Sequence, residues 1–341
     1  MLLIEKPYPY PLVSMSPSEG LIDIETTGLI GRRDTLISLG ITYKETTGTL
    51  LYRQWVAEKQ SEEKELLLAF LEWAKSFKTF YSYNGNSFDW PFIRARLIYH
   101  AIEDTLLENY RFLDLKKLLK KISPIRQELE KLLGFTRQST LTGKELVKLY
   151  TLYEKTHVAN YLKLLLDHQK DELLSLGLLY ALYQLLSHLE ETTISSTEKQ
   201  DDFIILFLEL REQLISTFYI NSPYFYIEGK SGQNRLLLRF KCQTLLLYHY
   251  LSPAKDYYFI PSQNQLIHKS IAQFIPAEMK QKVKKDACYL TKTSSFLPLC
   301  TTQKCSLPLW QDQKGHFYVE YTPDAILGAL LIKQVYFYLF L

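Results

Sequence analysis

Along the first half of the chain, apolar and polar positions follow two different rhythms. Leu21-Ile22-Asp23-Ile24-Glu25 alternates with period two and predicts a strand. Thr35 to Tyr43 and Thr49 to Val56 predict two more, with Gly28, Gly31 and Gly48 punctuating the connections. Ser61 to Phe77 then changes to helical spacing. Leu66, Leu67, Phe70, Leu71 and Ala74 share one face, and Ser61 is placed to cap the start. Lys78 to Tyr83 predicts a fourth strand, Asn84-Gly85 a turn, Ser87 to His100 a helix capped by Ser87, and Arg111 to Leu113 a short fifth strand.

From Leu115 to Ser187 the pattern is helical, interrupted near Ser123-Pro124 and between Gly134 and Gly143. The polar, Ser- and Thr-rich stretch Glu191 to Gln200 predicts a linker. Beyond it, Phe203 to Leu214 predicts a helix. Tyr219 to Ile227, Arg235 to Cys242, Tyr257 to Ile260 and Phe317 to Tyr321 predict strands, and Ala325 to Leu341 a buried helix. This divides the chain into an α/β domain over 1–190 and a smaller α+β domain over 201–341.

Composition changes little in this picture. With 341 residues, 47% hydrophobic and 23% charged, the chain has enough apolar material for a large core, which excludes a disordered or low-complexity protein. Met1 to Pro7 carries an acid and a proline where a secretory leader needs a basic start and an apolar run, so export is not expected. No uncharged apolar run reaches the ~18–20 residues of a membrane span. Cys242, Cys288, Cys300 and Cys305 are too few and too scattered for a disulfide framework. A cytoplasmic protein without membrane contact is the expectation.

The net charge is +3, so any basic binding surface has to be local. One such region is Arg111 to Lys148, with ten bases and four acids, including Lys116, Lys117, Lys120 and Lys144. A second is Lys280, Lys282, Lys284 and Lys285. Taken alone, runs of this kind are solvated faces.

The acids are more informative. Asp23 and Glu25 lie two apart on a strand and so project from the same face. Adjacent like charges repel unless a cation separates them, and hard divalent ions prefer carboxylate oxygen. Thr26-Thr27-Gly28-Leu29 leaves that strand through a small turn. Asp89 falls at a helix start, where a stabilising interaction with the helix dipole is the plain alternative to a ligand role. On the long helix from about Val158 to Leu186, Asp171 follows Asp167 and His168. Asp114 reads as the N-cap of the next helix. Cys300-x₄-Cys305 lacks the second pair that a zinc site needs.

The order strand pair, helix start, late helix resembles the DEDD, or DnaQ-like, superfamily of 3′–5′ exonucleases, with a ribonuclease H-like mixed sheet flanked by helices. The first motif is Ile22-Asp23-Ile24-Glu25-Thr26-Thr27-Gly28-Leu29, and the second is Tyr83-Asn84-Gly85-Asn86-Ser87-Phe88-Asp89-Trp90-Pro91-Phe92. With Leu141 to Tyr150 and His168 to Leu176, the second motif is more narrowly similar to the YprB-type family. Tyr257 to Pro261 and Ile267 to Ala272 resemble an extension in some of its members.

The resemblance implies a nuclease in which Asp23, Glu25, Asp89 and Asp171 hold two Mg²⁺ or Mn²⁺ ions. Thr26, Thr27, Leu29 and Asn84 would lie at the terminal nucleotide, and Lys116, Lys117, Lys120 and Lys144 along the phosphates of DNA or RNA with a single-stranded 3′ end. The superfamily places a Tyr four residues, or a His five residues, before its last Asp to position water. Here Asp167 and Leu166 hold those positions, and His168, the candidate general base, comes one step late. A helix residue turns ~100°, so that shift matters. The rival expectation is a catalytically weak or inactive nucleic-acid-binding or scaffold protein on the same fold.

Overall fold

The computed structural model describes residues 1–12 and 14–341, without the side chain of Leu106. Six strands form the first sheet: β1 (Leu2–Pro7), β2 (Glu19–Thr26), β3 (Leu36–Lys44), β4 (Leu50–Val56), β5 (Thr79–Ser82) and β6 (Arg111–Asp114). Their order is β1-β4-β3-β2-β5-β6; β2, β5 and β6 run parallel and the other pairings are antiparallel. The parallel pairings need crossovers. Helix α1 (Glu63–Ala74) supplies the one before β5, and α2 (Asp89–Tyr99) the one before β6.

Local signals explain most boundaries. Strand β3 is buried along nearly its whole length because both faces of the sheet are covered. Strand β1 escaped the sequence reading because it is a mostly exposed edge strand with no clean alternation. Glu62, after a 3₁₀ turn, caps α1 rather than Ser61, and Phe88 rather than Ser87 precedes α2, with no side-chain cap on either. Both offsets arise from an extra tight turn that delays the first α-helical residue.

Helices α3 (Leu115–Leu118), α4 (Arg126–Leu132), α5 (Gly143–Thr156) and α6 (Ala159–Ser187) follow. Asp114 caps α3 by accepting from the Lys116 backbone N–H. At the start of α5, Thr142 and Glu145 form a reciprocal capping box, a sequence signature of a helix start. Helix α6 crosses the sheet over β2 and β3, and Gly40 makes the close approach possible. A Cβ there would lie 2.9 Å from both Gln169 Cδ and Leu173 Cδ1.

The C-terminal region is richer in strands than expected. The Glu191–Gln200 linker is instead mostly β7 (Thr193–Gln200), an exposed edge strand paired with β8 (Phe203–Glu209). That pairing also overturns the helix expected from Phe203: its apolar residues form a short run that satisfies its backbone in a sheet. Strands β9 (Phe218–Asn221), β10 (Tyr226–Gly229) and β11 (Arg235–Lys241) complete a sheet ordered β7-β8-β11-β10-β9. Next come β12 (Gln243–Tyr250), β13 (Tyr257–Ile260), β14 (Gln265–His268), a one-turn α7 (Lys269–Ala272) and β15 (Gln281–Lys282). The chain ends with β16 (Tyr289–Pro298), β17 (Leu309–Gln311), β18 (Phe317–Glu320) and α8 (Ala325–Phe340). Strands β12, β16, β18 and β17 close a small barrel, and β14-β13-β15 form a separate three-stranded sheet.

The two halves share one apolar core. Leu173, Leu176, Leu179 and Leu182 of α6 belong to the same buried cluster as Ile204, Leu206, Leu236 and Leu238, and Leu331 and Val335 of α8. Among the described residues, no helix is long and apolar enough to cross a membrane.

Candidate active site

Strand β2 supplies the first two acids. Asp23 stands opposite Gly40 in the ladder, and Gly40 opposite Gln54 on β4. Because Gly40 has no side chain, Gln169 of α6 fits over it, fully buried. There it accepts from Gln54 Nε2 at 3.1 Å and reaches the Asp23 carbonyl at 3.5 Å. This amide pair fixes the rotation of α6 about its axis, and hence which of its polar side chains face β2.

Asp89 arrives at the first turn of α2, nearly buried, beside Gly85. A Cβ on Gly85 would lie 2.1 Å from Ser82 Oγ and 3.3 Å from Asp89 Oδ2, so the turn needs glycine there. Asn84 adopts a left-handed φ of 69°. Its backbone N–H donates to Asp114 Oδ1 at 2.8 Å, and its side-chain oxygen accepts from Lys116 Nζ at 3.1 Å. Of the proposed strand contacts, Lys116 thus lies beside the second motif, while Lys117, Lys120 and Lys144 are exposed.

The loop after Glu25 is held by its own hydroxyls. Thr26 Oγ1 donates to the Gly28 carbonyl at 2.6 Å, and Thr27 Oγ1 accepts from the Thr35 N–H at 2.8 Å. Leu29 projects from it, 81% exposed.

Helix α6 departs from expectation. The Asp171 carboxylate accepts from the backbone N–H groups of Gln138 and Ser139, both at 2.7 Å, tying down the loop before α5. The side chain that instead interacts electrostatically with Asp23 and Glu25 is Glu172. The α6 acid near β2 is thus one residue, or ~100° of helix rotation, beyond the expected Asp171. His168 then stands four residues before the last acid rather than three. Its Nε2 lies 3.6 Å from both Glu25 Oε1 and Glu172 Oε1, and its Nδ1 shares a 3.0 Å hydrogen bond with Ser139 Oγ.

Two arginines complete the cluster. Arg126 Nη1 lies 2.6 Å from Glu172 Oε2, and Arg126 Nη2 donates to the Glu172 carbonyl at 2.8 Å. Its guanidinium also lies over the Tyr83 ring, 5.3 Å from the centroid. Arg137 binds both carboxylate oxygens of Glu172 and both of Glu130. Sequence reasoning placed these arginines only within a basic stretch and missed Glu172. The usable signal was the four-residue spacing from His168 to Glu172.

The electrostatics separate Glu172 from the other acids. Burial pushes the Asp23 carboxyl well up, and Glu172, Glu25 and Asp89 add to this, against partial relief from Arg126. Glu25 is pushed up to about 8 by burial, Glu172 and Asp89. Asp89 is pushed up to about 7, chiefly by burial, despite backbone hydrogen bonds and Arg126. For Glu172, burial acts upward too, but Arg126 and Arg137 outweigh it and hold the carboxyl at about 2. Burial lowers His168 and so favours the neutral imidazole, against the opposing pull of Glu172.

A cation at β2 fits this arrangement. Asp23 Oδ2 is buried with no hydrogen-bond partner, and burial pushes the Asp23, Glu25 and Asp89 carboxyls up, a cost that a bound cation would relieve. Among the described residues, however, no group of three or more His, Cys, Asp or Glu side chains forms a ready metal cage, and ligation would require the acids to draw inward. Cys300 is tied to Gln334 of α8, Sγ to Oε1 at 3.1 Å, and Cys305 lies by the Leu307 carbonyl.

Residues 21–184 match the RNase_H_2 model of the RNase H superfamily. This stretch holds the first sheet from β2 onward, both crossover helices and most of α6, so it is the ribonuclease H-like part of a mixed α/β chain whose C-terminal region is rich in strands. No curated protein matches the chain. Among solved structures, the family B DNA polymerase of the archaeon Pyrobaculum calidifontis is similar at 11% identity and a TM-score of 0.42, over 89% of this chain and 60% of the polymerase. Exonuclease I of E. coli, in complex with a dT13 oligonucleotide, is similar at 12% identity and a TM-score of 0.28, over 42% of this chain and 43% of the enzyme. The chain therefore spans less than two thirds of either protein.

Proposed function

We propose that this chain is a divalent-metal-dependent nuclease that hydrolyses phosphodiester bonds of DNA or RNA, working from the 3′ end of a single strand. The observation that carries this reading is the convergence of Asp23, Glu25, Asp89 and Glu172, with a buried Asp23 oxygen lacking any partner. Glu172 replaces Asp171 as the acid contributed by α6. A bound Mg²⁺ or Mn²⁺ would supply Lewis-acid polarisation of the phosphate and acidify the attacking water.

The protein's own groups supply the rest. Burial favours the neutral form of His168, and in the tautomer that donates from Nδ1 to Ser139 Oγ its Nε2 has a lone pair for the proton of that water. Leu29, exposed at the edge of the first-motif loop, offers an apolar contact to the terminal base. Asn84 and Lys116 lie where the phosphate behind it would pass, and Lys117, Lys120 and Lys144 extend a salt-sensitive track. A cytoplasmic location and no membrane partner belong to the same reading.

The test uses 3′-labelled and 5′-labelled single-stranded DNA and RNA with Mn²⁺ or Mg²⁺, comparing wild type with Asp23→Ala. Early mononucleotides from the 3′ label and a descending ladder from the 5′ label, both lost in the variant, are expected. One feature favours a second reading, a binding protein with weak or no catalysis: both Glu172 oxygens are already occupied by arginine. Salt-sensitive binding without cleavage under either metal would select it.

A further inference from the structure

The resemblance to two-metal exonucleases implies two ions, but this acidic centre already contains a fixed cation. We propose that Arg126 stands in for one of them, so that the centre takes a single divalent ion, held by Asp23, Glu25 and Asp89. The inference rests on the nuclease reading above and deepens it.

Glu172 Oε2 lies 2.6 Å from Arg126 Nη1 and 3.2 Å from Arg137 Nη2, and Oε1 is taken by Arg137 Nη1. A second ion on Glu172 would have to displace charge-assisted hydrogen bonds from two planar guanidinium groups, the strong class of such bonds. Arg126 has little freedom to yield. Its Nε is 3.2 Å from Glu130 Oε1 and 3.3 Å from Ser175 Oγ, its Nη2 holds the Glu172 carbonyl at 2.8 Å, and its side chain is only 13% exposed. Arg137 is likewise divided between Glu130 and Glu172. Asp23 is the reverse case, with an oxygen that nothing satisfies. The acids therefore divide into one carboxylate saturated by arginine and three that, among the described residues, no arginine or lysine pairs, of which Asp23 keeps an oxygen with no partner at all. Arg126 also acts electrostatically on Asp23, Glu25 and Asp89, lowering each carboxyl against the effect of burial.

The experiment is calorimetric titration of the full chain with Mn²⁺, alone and with thymidine 5′-monophosphate, supported by electron paramagnetic resonance of the bound ion. One ion per chain in both conditions, with no Mn–Mn coupling, is expected for wild type and for Arg126→Lys. For Arg126→Met, two ions and a coupled signal are expected. Two ions on wild type would overturn the proposal while leaving a nuclease. A single ion on Arg126→Met, and still a single ion on Arg126→Met/Arg137→Met with both Glu172 oxygens free of arginine, would also overturn it. No ion on folded wild type would overturn the metal-dependent reading itself. Thermal melting of each variant establishes that it is folded, and Arg126→Ala replaces Arg126→Met if that variant does not fold.

Discussion

Replacing Gly40 by alanine tests how the site is assembled. Ordinary contact for a Cβ is 3.4–4 Å, while a Cβ at Gly40 meets Gln169 Cδ and Leu173 Cδ1 at 2.9 Å, so the pair must yield by about half an ångström. Neither can do so freely. Gln169 and Leu173 are fully buried, and Gln169 is held by Gln54. Overpacking of this kind costs about 1–3 kcal/mol, or roughly 1–4 °C in melting temperature for a chain of this size. Because the same helix carries His168 and Glu172, the shift should also lower cleavage by roughly ten- to a hundredfold, given that a ~1 Å misplacement can cost about a hundredfold. Urea unfolding and initial cleavage rates measure the two effects. Gly143→Ala is the control: nothing lies within 4 Å of its Cβ, and it begins α5, so it should leave both nearly unchanged. If Gly40→Ala melts with wild type, α6 is not seated on β3 as described.

Further substitutions probe the electrostatics. Arg137→Met leaves Glu172 and Glu130 short of a partner and should destabilise the fold by about 2–3 kcal/mol at pH 7, an estimate reduced for partial exposure and read by urea unfolding. The Glu172 carboxyl is depressed to about 2, so its contribution is present above pH ~4.5 and lost as the pH falls toward 2; in Arg137→Met that acid limb should flatten. Glu25 and Asp89 have the opposite sign. Raised to about 8 and about 7, they favour the fold while protonated, so metal-free stability should fall between pH 6.5 and 8. At the lower end of that window the unfolded His168 still binds protons that the lowered, folded one does not, an opposing contribution that fades toward pH 8. Glu25→Gln should reduce this slope, and Mn²⁺ should raise the melting temperature more at pH 8 than at pH 6.5.

Much of the first half was legible because its signals are local. Period-two alternation placed Asp23 and Glu25 on one face of β2, and helical spacing gave α1, α2 and α6 within a few residues. The choice between Asp171 and Glu172 was not legible. Adjacent acids on a helix differ only in rotation, and that rotation is set by Gln169 docking over Gly40, a contact between residues 129 apart in the chain. Arg126 and Arg137 were hidden for the same reason: composition marked a basic stretch, but only tertiary packing turns two of its members onto Glu172. In the C-terminal region, Phe203 to Leu208 is a short, nearly unbroken apolar run without a period, which suits a buried strand as well as a helix. Strand β7 is polar and exposed and is held by its backbone ladder to β8, which composition does not reveal.

The central claim is that Glu172, and not Asp171, completes the acidic centre. Its most direct test compares the cleavage of 5′-labelled single-stranded DNA and RNA by Glu172→Gln and Asp171→Asn under Mn²⁺, with the fold of each checked by thermal melting. The account predicts that folded Glu172→Gln loses about a hundredfold or more, the scale of removing a charged group from a reacting centre. Asp171→Asn, which keeps an oxygen for the Gln138 and Ser139 amides, should stay within about tenfold of wild type. Abolished cleavage in Asp171→Asn with near-normal cleavage in Glu172→Gln would contradict it.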